Sequence, residues 1–212
     1  VEPYGTEIRV RRPNPEEPVR VVGSSPRPVL TPIPRSSKTV FRGKLLEVRV
    51  DRLRIGGRVV EREVVVHPGA VAVVPLTAER EVILVCQYRH PARARLWEIP
   101  AGTLAPGEQP LAAAQRELEE ETGYRAGDWV RLAEVYTSPG FCTEKMAIYL
   151  ARGLSEGEGS PDEDEDLQVA KVPWDRAMDW LAHGRFQDAK TVLGLLLARP
   201  YLDGDIPGPA GA

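Results

Sequence analysis

Hydrophobic positions along this chain follow two rhythms, one of period two and one of period near four. Val48, Val50, Leu53 and Ile55 are interleaved with Glu47, Arg49, Asp51 and Arg54, close to the alternation of a half-buried strand. Gly56-Gly57 supplies a two-residue turn before the apolar-rich residues 59–66, so a hairpin is expected. Residues 70–74 and 82–85 are short apolar runs suited to buried strands, and further strands are expected at 131–136, at 146–151 and from near Leu167. The helical rhythm appears three times. Residues 110–122 carry Pro110 in the first turn and Gly123 just past the end. Residues 173–183 are stopped by Gly184, and residues 188–199 open on Asp188 as a cap. Strands mixed with a few helices, without strict alternation, predict an α/β fold with a mixed sheet between helices.

The rhythm also divides the chain. Residues 1–36 hold Pro3, Pro13, Pro15, Pro18, Pro26, Pro28, Pro32 and Pro34 among few large apolar residues, which predicts an extended or disordered arm. Residues 37–66 form a small antiparallel β-sheet with too little core to stand alone, so it is expected to pack across a homodimer. Residues 67–200 make the main domain and 201–212 a tail. The length suits one domain with an accessory sheet. No apolar run reaches the roughly 18 residues of a membrane span, and no secretory signal is visible. Cys86 and Cys142 form no metal or redox motif, so reduced thiols and a cytoplasmic location are expected. A net charge of −3 argues against nucleic acid as a partner and means that a phosphate-bearing substrate would need metal ions or placed arginines to screen it.

The chemistry concentrates in residues 102–124. On a helix, Glu117, Glu120 and Glu121 fall within an arc of roughly 100° on one face, beside an apolar face marked by Leu111, Ala114 and Leu118. Stacked carboxylates repel, and no lysine at i+4 relieves them. A hard divalent cation relieves them better, and Mg²⁺ suits carboxylates combined with substrate phosphates. Gly102 and Gly107 let the preceding loop fold back onto the helix face.

The pattern Gly102-x5-Glu108-x7-Arg116-Glu117-Leu118-x-Glu120-Glu121-x-Gly123-Tyr124 matches the Nudix box at every specified position. At about 7% per residue type, a chance match is on the order of 10⁻⁷, so an ordinary charged helix does not account for it. Trp97-Glu98-Ile99-Pro100-Ala101-Gly102, Gln87-Tyr88-Arg89, Ser138-Pro139-Gly140 and Asp188-Ala189-Lys190-Thr191 extend the resemblance over residues 40–200, and Pro139 sits where the ADP-ribose pyrophosphatase branch carries a proline. The resemblance implies a Nudix-type α/β/α sandwich and an enzyme that cleaves ADP-ribose to AMP and ribose 5-phosphate. It further implies two or three Mg²⁺ ions, with Mn²⁺ as a substitute, and a homodimer.

By the same resemblance, Glu117, Glu120, Glu121, Glu165 and the Ala101 carbonyl ligate metal, and Glu163 in the acidic run 162–166 is the general base. Glu120 and Arg116 complete the catalytic set, Arg116 by orienting the glutamates, while Glu108 holds the loop. Arg89 contacts a phosphate; Ser138, Pro139, Gly140 and Glu144 shape the terminal-ribose side; Arg62 and Glu63 reach the nucleotide from the partner subunit. Tyr88 and Trp97 are either core or adenine-facing. Rival readings are a hydrolase of another nucleoside diphosphate sugar, such as GDP-mannose, and a silent module that senses ADP-ribose or NAD metabolites. Silent modules typically lose box glutamates, and here all three are intact.

Overall fold

A computed structural model describes residues 33–157 and 167–203. The expected hairpin is present, β2 (Glu47–Ile55) paired with β3 (Arg58–Val66), and β1 (Ser36–Arg42) adds a third antiparallel strand. Gly56 and Gly57 make its turn at φ 57° and 81°, the left-handed pair that a two-residue hairpin turn requires.

The main domain is built on β4 (Ala70–Pro75), buried at every position. In chain order there follow β5 (Glu81–Arg89), β6 (Ala94–Glu98), β7 (Ala101–Thr103), α1 (Pro110–Thr122), β8 (Tyr124–Tyr136), β9 (Lys145–Glu156), β10 (Gln168–Pro173), α2 (Trp174–Ala182) and α3 (Ala189–Leu202). One sheet has the order β7-β4-β9-β8, with β4 and β9 parallel and the other pairs antiparallel; a second is β10-β5-β6.

Strand pleating splits the core in two. Val71 and Val73 of β4 face Ala113, Ala114 and Leu118 of α1, together with Ala147 and Tyr149 of β9. Ala72 and Val74 face the other way, with Ile148 and Leu150, onto Leu195 and Ala198 of α3 and the residues of β5 and α2. Helix, mixed sheet and helix therefore form a sandwich, the α/β/α arrangement that the sequence led one to expect. Leu118 and Leu195 are fully buried, each stabilising by about 1.5–3 kcal/mol. Gly194 is required by the second layer: a β-carbon there would lie 2.8 Å from Ile99 Cδ1 and 3.0 Å from Val74 Cγ2.

Several local expectations are corrected. β8 starts at Tyr124, directly after the helix, and pairs along its length with β9 (an irregularity separates Arg131 from Ala133). β1, β6 and β7 are short or exposed strands whose pairing, not their composition, creates them. Leu111 is 40% exposed, and Ala113 takes its place on the buried face of α1. Tyr88 is half-exposed, not core, whereas Trp97 packs against the core beside Trp180. No helix among the described residues is long and apolar enough to cross a membrane.

Candidate functional site

The site begins with a clasp between β7 and α1. Gly123 ends the helix in the left-handed conformation, φ 72°, its N–H donating to the Glu119 carbonyl at 2.9 Å. Glu121, 5% exposed, accepts a hydrogen bond from the Ala101 N–H at 3.0 Å. One turn earlier the Glu117 carboxylate lies directly over Gly102, where no side chain could fit: a β-carbon there would be 1.9 Å from Glu117 Cδ and Oε1. The glycine is thus a matter of close approach. The loop does fold back on the helix face, as its glycines implied.

Arg116 holds the acidic face together. Its Nε and Nη2 donate to the two carboxylate oxygens of Glu108 at 3.0 and 3.1 Å, and its Nη1 meets Glu120 at 2.7 Å and Glu117 at 2.8 Å. The repulsion expected between the glutamates is relieved by this one guanidinium, from four residues before Glu120 instead of after. The Glu108 hydrogen bonds, joined by Glu120 and Glu117, raise Arg116 well above its ordinary value against the opposing effect of desolvation. Reciprocally, Arg116 and then the Ala105 N–H hold Glu108 below the usual carboxylate range. Glu108 bonds Ala105 from the loop side, consistent with a loop-holding role.

A cavity of about 480 Å³ opens above the clasp, lined by Ala70, Arg89, Ala101, Gly102, Thr103, Arg116, Glu117, Glu120, Glu144, Met146 and Lys190. Five expected site residues besides Arg116 (Ala101, Glu117, Glu120, Arg89 and Glu144) meet there, and Glu121 is hydrogen-bonded to Ala101 of that lining. Glu144 is held by Thr137 Oγ1 at 2.5 Å and lies 3.6 Å from His67 Nδ1.

Arg62, Glu63 and Gly140 gather elsewhere. They line a separate cavity of about 400 Å³ with Val50, Glu61 and Phe141. β3 reaches this loop through two backbone bonds, Val65 N–H to the Phe141 carbonyl at 2.8 Å and Thr143 N–H to the Val65 carbonyl at 2.9 Å. The Ser138 carbonyl closes the turn by accepting from Phe141 and Cys142, and Pro139 lies inside it. Glu163 and Glu165 lie outside the described residues.

Two residues of the site escape the sequence reading. Glu98, 1% exposed, accepts from Arg89 Nε at 2.9 Å and Nη2 at 2.8 Å, and it also receives Lys190 Nζ. Burial would push Glu98 up, but the Arg89 hydrogen bond and the Lys190 charge outweigh it and hold the carboxyl below its ordinary value. The Glu98–Arg89 hydrogen bond correspondingly raises Arg89. Both residues stand in the motifs at 97–102 and 188–191, but no local spacing joins positions so far apart.

Among the described residues, no three acidic, histidine or cysteine side chains converge into a ready-made metal cage. The donor set is nonetheless of the hard-cation kind, all oxygen, with Glu117 and Glu120 on the cavity wall and Glu121 tied to the Ala101 backbone. The cradle over Gly102, which a methyl group would fill, brings Glu117 against β7. These residues fit a divalent cation.

Comparison with known proteins identifies the family. The NUDIX domain model matches residues 66–193. The chain is 40% identical to a methanol dehydrogenase activator of Bacillus methanolicus over 162 residues, covering 75% of this chain and 88% of that protein. It is also 40% identical to an ADP-ribose pyrophosphatase of Bacillus subtilis over 163 residues, covering 76% and 88%. A solved ADP compounds hydrolase superposes with a TM-score of 0.74 at 30% identity, covering 85% of this chain and 98% of that one.

Proposed function

We propose, from the premise that this chain belongs to the NUDIX domain family and is a Nudix hydrolase, that its reaction is Mg²⁺-dependent cleavage of ADP-ribose to AMP and ribose 5-phosphate. The observation that carries the reading is the clasp: Glu117 seated over Gly102 and Glu121 on the Ala101 N–H, beside a cavity lined by both carboxylates and cations. The name of the Bacillus subtilis relative supports ADP-ribose as the substrate.

In this reading Glu117, Glu120, Glu121, Glu165 and the Ala101 carbonyl hold two or three Mg²⁺ ions, for which Mn²⁺ can substitute. When bound, such ions neutralise the diphosphate, polarise a phosphorus–oxygen bond and acidify a water. Water's oxygen bonds to one phosphorus, the bridging P–O bond breaks, and Glu163 takes the proton released by the water. Arg116 keeps Glu117 and Glu120 aimed at the cavity by charge-assisted hydrogen bonds. Arg89, fixed by Glu98 in a bidentate pair, presents its remaining donors to a phosphate.

We extend the proposal to a homodimer, with Arg62 and Glu63 reaching the partner's nucleotide. The small sheet supports it: Val40 and Phe41 of β1 and Leu45 of the turn that follows are 54–56% exposed, a poor arrangement for a surface facing only water. A cytoplasmic enzyme with no nucleic-acid or membrane partner completes the reading. A panel of ADP-ribose, NADH, GDP-mannose and other nucleoside diphosphate sugars with Mg²⁺, assayed for released nucleoside monophosphate, tests the substrate. AMP release fastest from ADP-ribose supports the proposal; a preference for GDP-mannose transfers the assignment to a sugar-nucleotide diphosphatase.

A further inference from the structure

β3 ends at Val66 and β4 begins at Ala70, so His67, Pro68 and Gly69 alone connect the small sheet to the main domain. The Gly69 N–H donates to His67 Nδ1 at 3.1 Å. An imidazole nitrogen that accepts a hydrogen bond carries no proton, so in this arrangement His67 is neutral with its proton on Nε2. Thr143 fixes the residue from the other side. Its Oγ1 accepts from the His67 N–H at 3.0 Å and lies 3.4 Å from the His67 carbonyl.

The same Nδ1 faces a carboxylate. Glu144, next to Thr143 and on the lining of the cavity of about 480 Å³, has Oε1 at 3.6 Å from it. The two side chains are 11% and 23% exposed, so water screens the pair poorly. Thr137 Oγ1 donates to Glu144 Oε2 at 2.5 Å, and the Thr137 N–H to the Glu144 carbonyl at 3.3 Å. Glu144 Oε1 accepts no hydrogen bond among the described residues. While Nδ1 is bare, that oxygen is left for a donor from outside the chain. Once Nδ1 is protonated, the Gly69 N–H loses its acceptor and Oε1 gains an ion-pair partner. Imidazole is the side chain that makes this exchange near neutral pH.

The surrounding charges are engaged elsewhere. Arg42 and Glu47 of the small sheet line a cavity of about 310 Å³ with His67, but they pair with each other at 2.7 Å. The Lys145 ammonium lies 3.6 Å from Glu134 and over the Tyr136 ring. Cys142 Sγ accepts from the Glu144 N–H at 3.4 Å. Arg89, Arg116, Glu117, Glu120 and Lys190 share the larger cavity with Glu144. Glu144 is therefore the acceptor open to a protonated His67.

We propose that His67 is a positioning residue that acts on the substrate through Glu144. Neutral, it leaves Glu144 Oε1 to accept a hydrogen bond from a substrate hydroxyl; protonated, it draws that oxygen into an ion pair and weakens substrate binding. The inference rests on the pyrophosphohydrolase reading above, in which this cavity holds ADP-ribose.

The test compares KM and kcat for ADP-ribose hydrolysis with Mg²⁺ at pH 8 and pH 5.5. Wild-type KM should rise about fivefold or more on acidification, the effect of losing a hydrogen bond to a charged acceptor. In His67→Asn the rise should shrink to about twofold or less, because an asparagine oxygen can accept the Gly69 N–H as in an Asx turn but carries no titrating charge. The change of kcat with pH should be the same in both proteins, which separates His67 from the general base and the metal site. His67→Gln serves in the same comparison if His67→Asn loses its melting transition. A second readout needs no substrate: the His67 ring resonance in NMR, identified by its absence from His67→Asn. In Glu144→Gln it should titrate at a pH lower by about half a unit or more, since the carboxylate favouring the protonated ring is gone. An equal KM rise in wild type and His67→Asn overturns the proposal and leaves His67 as support for the turn. A ring titration indifferent to Glu144→Gln overturns it too. Protein that ignores ADP-ribose but hydrolyses GDP-mannose with the same His67-dependent rise in KM would uphold this inference and sink only the substrate reading. Hydrolysis of neither overturns both.

Discussion

The Glu117 carboxylate fills the space that a side chain on Gly102 would need: a β-carbon on the glycine would lie 1.9 Å from it. Gly102→Ala should therefore push Glu117 out of the cradle while leaving the fold intact. A loss of hydrolysis of about 10²-fold or more is expected, with an unchanged circular dichroism spectrum. An active Gly102→Ala enzyme would mean that Glu117 works from another position.

The carboxylates on the cavity wall predict a strict metal requirement. EDTA should abolish ADP-ribose hydrolysis and Mg²⁺ should restore it. Glu121→Gln removes an anionic ligand at nearly constant shape and should do comparable damage. Full turnover in metal-free buffer would falsify the proposed mechanism.

Glu163→Gln separates the base from the ligands. Its kcat should fall by about 10²–10⁴ with KM little changed, the usual worth of positioned proton transfer. Glu117→Gln should instead weaken metal binding, and excess Mg²⁺ should partly restore its rate. Normal kcat in Glu163→Gln with a large, Mg²⁺-insensitive loss in Glu165→Gln would hand the base role to Glu165.

The homodimer can be read by complementation. Arg62→Ala and Glu121→Gln subunits, each impaired alone, should recover activity when mixed under exchange, since a hybrid dimer holds one intact site. Sedimentation of a fully active monomer contradicts this.

Glu98 makes stability depend on acid. Its folded-state carboxyl lies below the ordinary 4.5, so its ion pairs stabilise the fold above that value and are lost as pH falls through the folded value. Glu98→Gln should be destabilised by about 3 kcal/mol at pH 7, the scale of breaking one side of a buried pair. The gap to wild type should narrow below about pH 4.5 as the native carboxyl is protonated. Denaturant melts at several pH values would show it; a gap constant down to pH 3 rules out the ionised pair as the cause.

What the sequence determined by itself was local. The bounds of α1, its Gly123 stop, the Gly56-Gly57 turn and the Asp188 cap each depend on residues within one or two turns of chain, so their signals lie side by side. The acidic face of α1 was legible for the same reason: helical period places Glu117, Glu120 and Glu121 together before any tertiary contact forms.

The tertiary structure decided the rest. β1, β6 and β7 lack a strong apolar pattern and become strands because neighbours supply their hydrogen bonds. Whether Leu111 or Ala113 is buried depends on how α1 lies on β4, which periodicity leaves open. Arg62 and Gly140 meet through the backbone bonds of β3 to a distant loop. Above all, Glu98 and Lys190, 92 positions apart, become partners only once α3 packs on the sheet at Gly194. A buried charge needs its counter-charge within a few ångströms, and only long-range packing can place it there.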